Sequence, residues 1–257
     1  KREPFDFSNL ILGLECGGSD SISGISANPA VGLISDKVVK LGGTSILPEF
    51  TEWIGTEHLL VKRAINKDVA SRIYTTIDGF IQHLKGLGVD FLGVQPTPGN
   101  IEGGLSTIEE KSLGNIAKSG KAPIQGILDY SEPPKSNGLY LMNEPGLDVE
   151  SMTGLAAAGA QIILMTTGRG SPCGNPIVPV IKLCGNPKTC DWMANNIDID
   201  ASVIIKGEKT IEELAQDIWV KLINIINGEK TQAEKLGFND IAIWRNTVSP
   251  FHYLHCK

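Results

Sequence analysis

Cys16, Asp20, Glu49, Glu52 and His58 place sulfur, nitrogen and carboxylate oxygen in the first quarter of the chain. That mixture suits a first-row transition metal better than calcium or magnesium, which prefer oxygen alone. Cys16 and Asp20 lie in a stretch, 13–32, that also holds Ser19, Ser23, Asn28 and several glycines. Glycine lets backbone approach a ligand closely, and the polar side chains supply donors and acceptors. A simple connector needs few of them, so this stretch reads as the wall of a site. Farther along, Arg169 stands between two glycines and offers a bidentate fork to a carboxylate. Gly104 leads into a helix start at Ser106 and Thr107, where free amides and the helix dipole favour an anion. Lys111, Lys118 and Lys182 add positive charge, or a base where burial lowers a pKa. Together these groups suit a small, polyoxygenated anion.

Each residue also has a plainer reading. Cys16 fits as a small buried hydrophobe, Asp20 and the serines as turn partners, and His58 as a helix-face histidine. Lys111 and Lys118, seven apart on one helix, fit as solvated surface lysines. Cys173, Cys184 and Cys190 raise an iron–sulfur alternative, but their spacing matches no standard cluster pattern. The chain contains no phosphate-binding P-loop, no fitting dinucleotide fingerprint and no hydrolase nucleophile elbow.

Alternating elements must position these groups. Apolar runs at 10–14, 44–47, 90–94, 123–128, 139–142, 161–165 and 177–183 read as strands, with 200–205 open between strand and helix approach. Helices are expected over 29–41, with Val31, Ile34, Val38 and Leu41 on one face, and over 66–85, with Asn66 as cap. Others follow from 107 to about 119, over 150–158, and over 210–226. Thr107 with Glu110 and Thr210 with Glu213 make capping-box patterns. The segment 95–104 reads as a loop, and Pro48 leaves the geometry of 49–52 ambiguous. Continuously apolar strands between helices predict one α/β domain over 1–257: three layers, Rossmann-like, with a largely parallel sheet and helices on both faces. In such sheets ligands bind beyond the strands' carboxyl ends, and the polar segments 15–28, 49–52, 95–107 and 166–172 all fall there.

A chain of 257 residues is long enough for such a core. The net charge of −6 without a basic cluster argues against nucleic acid or an anionic membrane as partner. Five cysteines, an odd number in a chain this large, favour reduced thiols and a cytoplasmic setting.

The long motifs are familiar as a set. Glu15-Cys-Gly-Gly-Ser-Asp with Ala27-Asn-Pro-Ala resembles the altronate/galactarate dehydratase family. So do Thr51-Glu52, Glu57-His-Leu-Leu, the run 99–114 that includes Asn100 and Lys111, Lys118-Ser-Gly-Lys, Thr166-Thr-Gly-Arg-Gly-Ser-Pro and Pro179-Val-Ile-Lys. The resemblance implies a metal-dependent hydro-lyase for sugar acids, with Fe2+ expected and Mn2+ as the other choice. Such an enzyme removes the proton α to a carboxylate, expels the β-hydroxyl, and yields a 2-keto-3-deoxy acid. A relative releases sulfite from a sulfolactate instead; a non-catalytic sugar-acid-binding module is the runner-up from another class. For that chemistry, Cys16, Glu49, Glu52 and His58 are the metal-ligand candidates and Lys111, Lys182 and Asp20 the acid–base candidates; motif membership supports a site but does not assign these roles. Ser19, Ser23, Asn28, Asn100, Gly104, Ser106, Thr107, Thr167 and Arg169 are the substrate-binding candidates. Family members are longer, so the chain is expected to be the C-terminal part of a dehydratase. It would lack an N-terminal domain or small subunit, with homo-oligomerisation left open.

Overall fold

The computed structural model describes residues 3–91 and 95–244. Strand β1 (Ile11–Cys16) is followed by α1 (Ser21–Ile25), α2 (Ala27–Lys40) and β2 (Thr44–Leu47). A 3-10 turn over Phe50–Trp53 leads to α3 (Glu57–Val61), α4 (Lys67–Gly86), α5 (Pro98–Glu102) and α6 (Ile108–Ala117). Then come β3 (Ile124–Leu128), β4 (Gly138–Met142), α7 (Asp148–Ala157), β5 (Ile162–Thr167) and β6 (Val180–Cys184). The chain continues through α8 (Pro187–Trp192), β7 (Ile199–Asp200), α9 (Ile211–Ile226) and α10 (Gln232–Leu236).

The described strands form one seven-stranded sheet in the order β3-β4-β2-β1-β5-β6-β7. Every pairing is parallel. Two-sided burial explains the apolar runs, because successive strand side chains enter opposite cores. Ile162 and Leu164 join the core under α2, α4 and α9, whereas Ile163 and Met165 join the one under α7. The expected α/β architecture is therefore present, and the sheet is wholly rather than largely parallel. From β1 the chain fills one side of the sheet first (β2, with β4 and β3 beyond it) and the other side later (β5, β6, β7), which makes β1 the switch point where such sheets open a crevice.

Several expectations need correction. The strand expected over 90–94 falls partly on 92–94, outside the described residues. Leu41 lies just past α2 and is 45% exposed, so of the four expected apolar residues Val31, Ile34 and Val38 are buried. Thr107 caps α6, but Glu110 turns its carboxylate to Ser106 instead of closing the box on Thr107. Residues 98–102, expected as loop, form α5 through a Thr97/Asn100 capping box with Pro98 in the first turn. The segment 200–205, left open between strand and helix approach, ends β7 at Asp200 and continues as a 3-10 turn, Ala201–Val203.

Candidate active site

Cys16 ends β1, and its side chain enters the face covered by α2 and α6. On that face the thiol stands 3.3 Å from Glu49 Oε1 and 3.4 Å from Glu52 Oε2. The two carboxylates arrive together because Glu49 precedes a 3-10 turn and Glu52 lies inside it. Neither has helical backbone angles: Glu49 is left-handed and Glu52 has φ -94 and ψ 23, so the tight turn itself brings the two side chains to one side. Glu52 N–H donates to Glu49 C=O at 2.8 Å, closing the turn. Glu49 itself takes a left-handed backbone (φ 68, ψ 53), uncommon for a residue other than glycine. One ligand atom from each of Cys16, Glu49 and Glu52 lies within 4.8 Å of the others, and all three residues are buried. Among the described residues no other His, Cys, Asp and Glu form such a group. His58 is exposed on α3 and stands outside it.

Helix α6 supplies the counter-charges. Lys111 Nζ lies 2.9 Å from Glu52 Oε1, and Lys118 Nζ lies 2.6 Å from Glu49 Oε2. Lys118 is fully buried, which overturns its reading as a surface lysine. Burial pushes the Cys16 thiol well up, and the Glu49 and Glu52 carboxylates push it further. Burial also lifts Glu49 to about 7, Lys118 opposing and Glu52 adding to the rise. Burial lowers the Lys111 pKa, but the adjoining Glu52, together with Cys16 and Glu49 behind it, raises it above the usual value. The donor set is one thiol and two carboxylates, with open space beside them. It fits a first-row metal that keeps coordination positions for a ligand.

Beside the cluster is a cavity of about 240 Å³ walled by Cys16, Ser19, Asp20, Asn28, Glu52, Lys111 and Asn115, among others. Ser19 Oγ donates to Cys16 Sγ at 3.3 Å. Asn28 Nδ2 is engaged by Gly114 C=O and Asn115 Nδ2 by Glu52 C=O. Their carboxamide oxygens are buried and accept from no donor among the described residues.

Other candidates hold the wall together. Asp20 caps α1, its Oδ1 accepting from Ser23 N–H at 2.7 Å and its Oδ2 from Asn186 at 2.9 Å. Ser23 returns the capping-box bond, and Asn100 ties α5 to Ser19 C=O. Thr167 Oγ1 accepts from Gly170 N–H. Gly104 is exposed with φ +89, and the helix start expected to cradle an anion is already filled. Glu110 there accepts from Ser106 N–H and Oγ, and Thr107 Oγ1 from Glu110 N–H. Arg169 is paired at 2.9 Å with Glu102, both largely exposed, and does not line the cavity.

Lys182 is not brought to the cluster. Its strand neighbours Ile181 and Leu183 face the α2 core, so Lys182 enters the α7 side. There its ammonium donates to Ser171 and Pro172 carbonyls at 3.2 and 3.0 Å, and burial lowers its pKa. Cys184 and Cys190 pack together, Cys190 Sγ donating to Cys184 C=O at 3.3 Å. They form no three-cysteine group with Cys173, so the iron–sulfur alternative has no site among the described residues.

A family model described as D-galactarate/altronate dehydratase, C-terminal, matches residues 7–249. The chain belongs to this family. It is 41% identical over 247 residues to the (2R)-sulfolactate sulfo-lyase subunit beta of Chromohalobacter salexigens, covering 95% of this chain and 64% of that one. Identity to the altronate dehydratase of Bacillus subtilis is 38% over 249 residues, covering 97% and 50%. Identity to the galactarate dehydratase (L-threo-forming) of Escherichia coli is 40% over 214 residues, covering 83% and 41%. The chain thus spans between 41% and 64% of the length of these dehydratase-family relatives. No helix among the described residues is long and apolar enough to cross a membrane.

Sequence reasoning offered Lys118 both as a charge and as a surface lysine, and it missed Glu15 and Glu144, both buried, and the half-buried Asp148. Glu15 accepts from Ser151, Asp148 from Ser171, and Glu144 from Gly146 and Leu147 N–H. The available signal was a glutamate inside an otherwise apolar strand, Leu14-Glu15-Cys16.

Proposed function

We propose that this chain carries the metal-holding half of a sugar-acid dehydratase. The reaction is removal of the proton α to a carboxylate and loss of the β-hydroxyl, giving an enol that becomes a 2-keto-3-deoxy acid. The observation that carries the reading is the convergence of Cys16, Glu49 and Glu52 beside a cavity walled in part by Lys111, Ser19 and Asp20. Cys16, Glu49 and Glu52 would hold Fe2+ or Mn2+, whose Lewis acidity eases loss of the α-proton and of a poor leaving group. The Lys111 ammonium faces the cavity and donates the proton with which the hydroxyl leaves as water. Asp20 lines the same cavity and takes the α-proton. Asn28 and Asn115 line the cavity and help to shape it around the chain of the sugar acid. Ketonisation of the enol then returns one proton to the β-carbon.

The altronate and galactarate dehydratases support water as leaving group. The identity with the sulfo-lyase subunit favours a second reading, in which sulfite leaves from the same enolate. The cavity opens past Ile25 and Leu113, 64% and 50% exposed. A further domain or small subunit closes this mouth in the reading proposed here, in a cytoplasmic enzyme. The test is turnover of altronate, galactarate and sulfolactate by the whole protein, with added Fe2+ or Mn2+ and with chelator. Activity that needs metal and disappears in Cys16→Ala is expected; full turnover after chelation and in Cys16→Ala would sink the proposal.

A further inference from the structure

Lys111 and Lys118 are seven residues apart, two turns of α6, and therefore share one helix face. Each meets one of the two carboxylates beside Cys16, yet their surroundings differ. Lys111 lines the cavity and its side chain keeps 12% exposure, whereas Lys118 and Glu49 are both completely enclosed. Lys118 has no face on the cavity, so no substrate can touch it. Enclosure of both charges is not a stability device in itself, since packed apolar residues do that task as well or better. The pair does divide the oxygens of Glu49. Oε2 is held by Lys118 at 2.6 Å, and Oε1 is left toward the Cys16 thiol at 3.3 Å. Glu49 needs such a hold, because its left-handed backbone is a conformation that surrounding contacts must impose.

We infer that Lys118 is a positioning residue, fixing Glu49 so that a single oxygen, Oε1, is presented to a metal alongside Cys16 and Glu52. The inference rests on the reading of these three residues as a metal site. Lys118 acts through Glu49 alone: it is neither an acid nor a base in the reaction, nor a substrate contact.

The experiment is Mn2+ binding to the whole protein, read by the free-Mn2+ electron paramagnetic resonance signal, in a double-mutant cycle. Lys118→Met should weaken Mn2+ binding by about tenfold or more, the range for removing a group that orients a metal ligand. Lys118→Arg, which can still grip a carboxylate, should recover most of the loss. Glu49→Gln combined with Lys118→Met should bind no more weakly than Glu49→Gln alone, because the two residues act as one unit. Unchanged or tighter binding in Lys118→Met would overturn the inference, tighter binding marking Lys118 as a mere repulsive charge. If Lys118→Met does not fold with Glu49 stranded, the double variant carries neither buried charge and is compared with Glu49→Gln. A further loss in the double variant also overturns the inference. Absence of Mn2+ binding in the wild type overturns the metal-site reading itself, a result distinct from equal binding by wild type and Lys118→Met.

Discussion

Glu144 is completely buried after β4, and its carboxylate accepts from the Gly146 and Leu147 amides. Burial and the neighbouring Glu49 nevertheless push its pKa from 4.5 up to about 8. A native pKa above the unfolded one means that the folded protein keeps a proton the unfolded chain has released. Stability is then highest below the unfolded value and falls as pH rises, until the native group too has ionised. The fall approaches about 1.4 kcal/mol per pH unit, or about 3 kcal/mol between pH 5 and pH 7.5. Against a typical total of roughly 5–15 kcal/mol that loss is large enough to measure. The assay is urea unfolding of the chelated protein at both pH values, for wild type and Glu144→Gln. The amide keeps an acceptor oxygen for Gly146 and Leu147 but does not titrate. Glu15, Glu49 and Asp148, with pKa values raised in the same direction, and Lys118 are common to both proteins, so both lose stability. Wild type should lose about 3 kcal/mol more than the variant. Equal losses, or a wild type that gains stability toward pH 7.5, would refute the reasoning.

Two further contrasts separate chemistry from architecture. Lys111→Met should lower kcat by about 10²–10⁴ with the fold intact, as for loss of a general acid. Lys182→Met should instead reduce stability while leaving kcat per folded molecule near wild type; equal kcat losses in the two would put Lys182 back in the reaction. Asp20→Asn keeps an acceptor for the α1 cap but cannot take a proton. It should lose about 1 kcal/mol for the bond that Oδ2 accepts from Asn186 while kcat collapses, whereas Asp20→Ala should lose about 1 kcal/mol more of cap energy. Wild-type turnover in Asp20→Asn would leave Asp20 with its capping role only.

The strands and long helices were legible because burial writes itself into apolar periodicity. The 44–47 run is β2, and Asn66 caps α4 by accepting from Val69 N–H. The site was legible less evenly. Cys16 and Glu52 were found by residue type and by their place after strands. The 3-10 turn that aligns Glu49 with Glu52 was not, because Pro48 suits a helix start and an extended exit equally. Composition hid α1 and α5, both short and rich in serine, glycine or asparagine, although Asp20/Ser23 and Thr97/Asn100 carried their caps in plain view. Lys118 failed for a different reason. A lysine's default is solvent, and only the tertiary approach of Glu49, distant in sequence, makes enclosure tolerable.

Gly17 has a structural role that its composition did not suggest. A Cβ there would come within 2.1 Å of Asp148 Oδ2, so this glycine lets the loop pack on the α7 side and does not cradle a ligand. The adjacent Gly18 C=O accepts from Gly168 and Arg169 N–H, which ties the loop to the one after β5. What remains for chemistry at this end of β1 is the Cys16 side chain and the charges that α6 and the 3-10 turn bring to it. With both carboxylates ionised, two ammonium groups balance them and the thiol is neutral, so the enclosed cluster carries no net charge. A divalent metal would add two positive charges, and loss of the thiol proton would subtract one. In the proposed reading the loaded site is therefore singly positive beside a cavity of polar acceptors. Such a site attracts a hydroxylated carboxylate and favours the enolate over the neutral acid, without a dedicated arginine in the cavity wall.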